Sequence, residues 1–191
     1  WPVEVARAAL DAGLTLLGES RVQEAEPKVA TLPGAEWHLV GRLQSNKARR
    51  AVRAFAVIHS VDSLELLRRL DAVAADEGVG ARLLLQVNLT GTATTAGLTP
   101  EAAAADPMAE ALRELRSARV IGLMTIARLG ASSEEAHATF AALRGLRDAL
   151  RERSGEELPE LSMGMSADAE AAAAEGATLV RIGTALFGPR S

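Results

Sequence analysis

Ser166, Gly183 and Thr184 are small residues at two consecutive points where an apolar run gives way to a helix-like one, within the stretch Leu161 to Arg190 (LSMGMSADAEAAAAEGATLVRIGTALFGPR). Such junctions present backbone N–H groups and a hydroxyl, and unpaired amides beside a helix N-terminus favour an anion. In a barrel of parallel strands the loops after the last two strands are the usual phosphate site. The chemistry within reach of these residues is therefore the holding of a phosphate-bearing ligand. Ser166 also has a plainer reading as a helix N-cap, and Gly183 with Thr184 as a simple strand-end turn.

Arg181 sits inside the apolar run LVRI, next but one to Gly183. A guanidinium buried there requires an anion or an acceptor atom. The choice is between an ion pair with a strand-end carboxylate such as Glu19 and a direct ligand contact, and the second is preferred. His38 (WHLVG) and His59 (VIHSVD) are flanked by apolar residues and read as hydrogen-bonded structural residues, and His137 reads as a surface helix residue. No His or carboxylate set has metal-ligand spacing, and the absence of Cys excludes thiolate sites and disulfides. The basic residues Arg42, Lys47, Arg49, Arg50 and Arg53 read as a solvated helix face. Lys28 and Lys47, the only lysines, both fall in helix-like segments, away from the strand ends where a buried amine nucleophile would stand.

The elements that must position these residues follow a repeating order. Pro2 opens a helix that Gly13 stops. Apolar runs at Leu14 to Gly18, Trp37 to Gly41, Ala54 to Val61, Leu83 to Leu89, Val120 to Ile126, Leu158 to Met163 and Leu179 to Gly183 then alternate with helical segments. A Thr- and Gly-rich loop, TGTATTAGLTPE, follows the fourth run and is long enough to be mobile. Near-continuously apolar strands separated by helices give a parallel sheet covered on both faces. Eight strands would close a (β/α)8 barrel of the TIM type, so the reading expects the first strand upstream of Trp1. A doubly wound open sheet is the alternative, although no GxGxxG follows any strand.

The 191 residues, 48% hydrophobic, suffice for one large core, so residues 1–191 are expected to be a single, N-terminally incomplete domain. A net charge of −4 lacks the basic face of a nucleic-acid binder, and two Trp, three Phe and no Tyr offer little base-stacking surface. No apolar run approaches the roughly 20 residues that cross a bilayer. A cytoplasmic protein, monomeric and without nucleic-acid or membrane partners, is the expectation.

Taken in order, GESRVQE (18–24), WHLVGRLQSNK (37–47), IHSVDS (58–63), QVNL (86–89), IGLMTIA (121–127), LSMGMSAD (161–168) and VRIGTALFG (180–188) resemble the pyridoxal phosphate homeostasis proteins. The resemblance implies a single barrel like the N-terminal domain of alanine racemase, binding pyridoxal 5′-phosphate (PLP) for storage or delivery to PLP-dependent apoenzymes, with no established turnover. It places Ser166, Gly183 and Thr184 on the cofactor phosphate, Arg181 near the pyridine nitrogen, and Met163 and Met165 by the ring or its support. Ser20 stands where the family motif usually carries Asn. The family's Schiff-base lysine, at the end of the first strand, is expected upstream of Trp1, so that no catalytic residue is assigned here. A PLP-dependent amino-acid racemase is the alternative, against which stands the lack of any Tyr as an opposing acid or base. A cofactor-free phosphosugar enzyme would need strand-end carboxylates or a lysine, which are sparse.

Overall fold

The seven apolar runs become seven parallel strands in a computed structural model that describes residues 1–92 and 95–188. They are β1 (Leu16–Glu19), β2 (Glu36–Leu39), β3 (Val57–Val61), β4 (Ala81–Gln86), β5 (Ala118–Met124), β6 (Glu160–Met165) and β7 (Leu179–Arg181). Between them run α1 (Val3–Asp11), α2 (Val22–Thr31), α3 (Ala48–Ala54), α4 (Leu64–Glu77), α5 (Pro100–Ala104), α6 (Asp106–Glu114), α7 (Ser133–Ser154), α8 (Ala169–Ala174) and α9 (Thr184–Phe187). Each strand pairs with its successor, in the order β1 to β7. A doubly wound sheet reverses direction partway along its strand order. The uninterrupted order here removes that alternative and makes the fold a TIM-type barrel.

Successive strand residues point to opposite faces, so each strand feeds two apolar layers. Leu83 and Leu85 join a large cluster with helix residues such as Leu67, Leu70, Phe140 and Leu143. Leu84, between them, joins Val57 and Met124 in a small cluster enclosed by the sheet, with Ile121, Ile126 and Leu179 packed on it. Gly122 marks a close strand approach, since a Cβ there would lie 1.9 Å from the Glu160 carbonyl oxygen. Gly41 serves the β1 and β2 ends in the same way, with the Ser20 carbonyl oxygen 2.1 Å from where a Cβ would stand.

The helices begin and end where the sequence supplies caps. Ser63 accepts from the Leu66 amide at 3.1 Å to start α4, and Gly78, at φ 66°, ends it in the left-handed region. Ser132 and Glu135 form a capping box on α7. The segment LQSNKARRAVR is less helical than its composition suggests, because Ser45–Lys47 forms a 3-10 turn before α3. In the Thr- and Gly-rich loop the Asn88 side-chain amide donates to the carbonyls of Thr92 and Thr95, both at 2.9 Å, and so ties the described part of the loop down. Ala93 and Thr94 of that loop, and Pro189 and Arg190 of the last stretch, lie outside the described residues.

Candidate functional site

Parallel strands bring their C-terminal ends to one mouth of the barrel, and the residues picked out by spacing meet there. Met165 is in register with Arg181 across the β6–β7 pair, so Ser166 lies level with the residues that lead into Gly183. The Ser166 hydroxyl accepts from the Ala185 amide at 3.4 Å, joining the β6 turn to the first turn of α9. Gly183 is the N-cap of α9, Thr184 is its first, exposed residue, and neither amide meets an acceptor among the described residues. The reading of Ser166 as a helix cap gives way here. Asp168 occupies the N-cap of α8, and its carboxylate instead accepts from the Met165 amide at 2.6 Å, closing the turn beneath Ser166.

Arg181 donates through Nη1 to Ser162 Oγ at 2.6 Å and through Nη2 to the Thr125 carbonyl at 2.8 Å. No carboxylate pairs with it among the described residues. The suggested partner Glu19 is engaged elsewhere, with Lys28, in a buried pair that ties α2 to the end of β1. Lys28 does lie on a helix, as its sequence context indicates, but it reaches a strand end all the same. Desolvation pulls the Arg181 guanidinium down to about 10, partly offset by the charge of Asp168, and leaves it cationic at neutral pH.

A row of polar side chains continues from Ser162 through the barrel. Ser162 Oγ lies 2.9 Å from His59 Nδ1, and His59 Nε2 lies 2.9 Å from His38 Nδ1. His38 Nε2 lies 3.0 Å from Glu36 Oε1, which also accepts from Arg82 at 2.7 Å. The row thus runs from Arg181 at the mouth to Glu36 and Arg82 at the strands' N-terminal ends. Burial, and then the charges of His38 and Arg181, push the His59 imidazole down to about 3, so it is neutral near pH 7. The Glu36 carboxyl is held below its ordinary value, first by the hydrogen bond from His38. His38 and His59 are both buried and hydrogen-bonded, as their sequence context indicates.

The remaining residues fall outside this arrangement. Met163 is fully buried in the large helix-packed cluster, on the strand face opposite Ser162, so it faces away from the row. Met165, one position before Ser166, is half-buried. Ser20 is exposed after β1 and lines a separate cavity of about 670 Å³ with Arg21, Arg42, Lys47, Asp62 and Arg69. Arg49, Arg50 and Arg53 are exposed and paired with Asp76, Glu77 and Glu26, which is the solvated face expected of them. No group of His, Cys, Asp and Glu among the described residues could hold a metal ion, and no described helix is long and apolar enough to cross a membrane.

Ser162, Thr125, Glu36 and Arg82 were not singled out by sequence reasoning. The signal available for Ser162, Glu36 and Arg82 was alternation, since each is a polar residue on an apolar strand at a position pointing into the barrel; Thr125 offers Arg181 only its backbone carbonyl, for which its side-chain type carries no signal.

Comparison with known proteins places this geometry among relatives. The family model for the alanine racemase N-terminal domain matches residues 2–191. The pyridoxal phosphate homeostasis protein of Synechocystis is 44% identical over 187 residues, covering 96% of this chain and 84% of the relative. Its namesake from Pseudomonas aeruginosa is 44% identical over 192 residues, covering 99% and 80%. The solved structure of PipY from Synechococcus elongatus with PLP bound is 46% identical and superposes with a TM-score of 0.92, covering 98% of this chain and 88% of that one. Alanine racemase of Clostridium difficile shares the fold at 18% identity and a TM-score of 0.82, over 98% of this chain and 48% of the enzyme.

Proposed function

The chain belongs to the pyridoxal phosphate homeostasis family, built on the alanine racemase N-terminal domain, and from that premise we propose that it binds PLP and serves as an intracellular carrier of the cofactor. The observation that carries the reading is Arg181: a desolvated guanidinium that, among the described residues, is bound only to the neutral acceptors Ser162 and Thr125 and has N–H groups left over beside an anion cradle. A neutral acceptor such as a pyridine nitrogen satisfies those donors without adding a charge to the interior.

The residues fit the two ends of the cofactor. Ser166 and the amides of Gly183 and Thr184 bind the phosphate as hydrogen-bond donors, in the way that loops at the end of a barrel do. Arg181 orients the ring by donating to its nitrogen. PLP supplies an electron sink when that nitrogen is protonated. Arg181, charged at neutral pH, keeps a proton away from that position, and the residues around it support holding the cofactor more than turning over a substrate on it. Release to PLP-requiring apoenzymes follows from a cradle at an open mouth, with Thr184 and Ala185 exposed.

The test is a transfer assay. The chain is loaded with PLP, freed of unbound cofactor and mixed with a PLP-requiring apoenzyme. The reading expects activity to return in proportion to the PLP carried, with no racemisation of free amino acids by the loaded chain itself. Failure to retain PLP through removal of unbound cofactor, or racemisation at an enzymatic rate, would overturn it.

A further inference from the structure

We infer that Ser162, His59, His38 and Glu36 are positioning residues for Arg181, forming a one-way row of hydrogen bonds in which every donor points toward Glu36 and both imidazoles carry their single proton on Nε2. The direction follows from donor and acceptor inventories. Arg181 can only donate, so Ser162 Oγ accepts from it and has its own hydroxyl proton to place. The described neighbour able to take that proton is His59 Nδ1, at 2.9 Å. His59 therefore carries hydrogen on Nε2, which donates to His38 Nδ1. His38 then carries hydrogen on Nε2 and donates to the Glu36 carboxylate, which can only accept.

The reverse direction fails at both ends. With His59 donating from Nδ1, the Ser162 hydroxyl proton would have no acceptor among the described residues at a fully buried position, where an unsatisfied donor is costly. With His38 bare at Nε2, a lone pair would face a carboxylate oxygen at 3.0 Å. Arg82 fixes the far end by donating to the same Glu36 oxygen. The consequence is a guanidinium whose plane is set by Ser162 and Thr125, so that its remaining N–H groups keep one orientation before any ligand arrives. The bearing of this on PLP rests on the reading given above, whereas the row itself does not.

Side-chain nitrogen NMR of the ligand-free chain near neutral pH tests it. His59 and His38 are both expected to show a protonated Nε2 and a bare Nδ1. Replacing Glu36 (Glu36→Leu) is expected to shift the His59 nitrogens, although among the described residues the Glu36 side chain is bonded only to His38 and Arg82. Ser162→Thr is expected to keep the wild-type pattern and Ser162→Ala to lose it at His59. A proton on Nδ1 of either ring, a doubly protonated ring, or a His59 signal indifferent to Glu36→Leu overturns the inference. Where a variant does not fold, the wild-type tautomers decide. Adding PLP separates the two readings: the stated tautomers with no PLP-induced shift at Arg181 sustain the row and overturn PLP binding there, and other tautomers with such a shift do the reverse.

Discussion

β3 and β7 both reach the hydroxyl of Ser162, one through His59 and the other through Arg181, yet they are packed in opposite ways. β3 is buried at all five of its positions, covered by helices on one side and enclosing the small apolar cluster on the other. β7 is three residues long and none of them is fully buried; Val180 on its outer face is 45% exposed. The strand that carries the desolvated cation is thus among the least enclosed, and the strand opposite holds the neutral imidazole. The difference teaches how the work is divided. Geometry is stored on the covered strands, where packing fixes side-chain positions, while the contact groups sit on a lightly packed rim that a ligand can enter.

The strongest way to break that division is on the covered side. Gly122→Ala would drive a methyl into the Glu160 carbonyl across the β5–β6 pair, and a loss of about 4 kcal/mol or more is expected in urea unfolding. Cutting the link between the two strands comes next. Ser162→Ala strands a buried Arg181 donor and leaves His59 Nδ1 unpaired, with an expected loss of about 1–3 kcal/mol by the same measurement.

Acid sharpens the comparison by acting on the β3 side of the row. His59 has its folded value lowered to about 3, so the unfolded chain binds the extra proton as pH falls below its ordinary value. Stability therefore falls with falling pH between about 6.5 and about 3, by at most about 1.4 kcal/mol per pH unit from this one group. Denaturant midpoints across that range should show a shallower fall in His59→Gln than in the parent. The smallest effect belongs to the rim: Val180→Ser, at an exposed edge position, should change stability by no more than about 0.5 kcal/mol.

Much of the architecture was legible in the sequence because it depends on local pattern. The runs WHLV, AFAVIHSV and LLLQV are apolar enough to be recognised as strands covered on both faces, and α1 ends at Asp11, just before the Gly13 read as its stop. The meeting of Ser166, Gly183 and Thr184 was readable from two junctions on consecutive strands. The partners of Arg181 were not, because Ser162 and Thr125 lie 19 and 56 residues away and are selected by strand register. The same applies to Glu19, whose carboxylate is held by a lysine nine residues on, brought back by the turn into α2. Met163 was drawn toward the site by its place in the motif, and strand alternation turned it outward.

The central claim is that the Ser166, Gly183 and Thr184 rim holds a phosphate while Arg181 orients the ring attached to it. Titration of the chain with PLP and, separately, with pyridoxal, which lacks the phosphate, tests it most directly, with Ser166→Ala as the second protein. The account predicts saturable binding of one PLP per chain, much weaker binding of pyridoxal, and an affinity for PLP lowered about tenfold in Ser166→Ala, equivalent to about 1.4 kcal/mol. Equal affinities for PLP and pyridoxal, or PLP binding indifferent to Ser166→Ala, would contradict it.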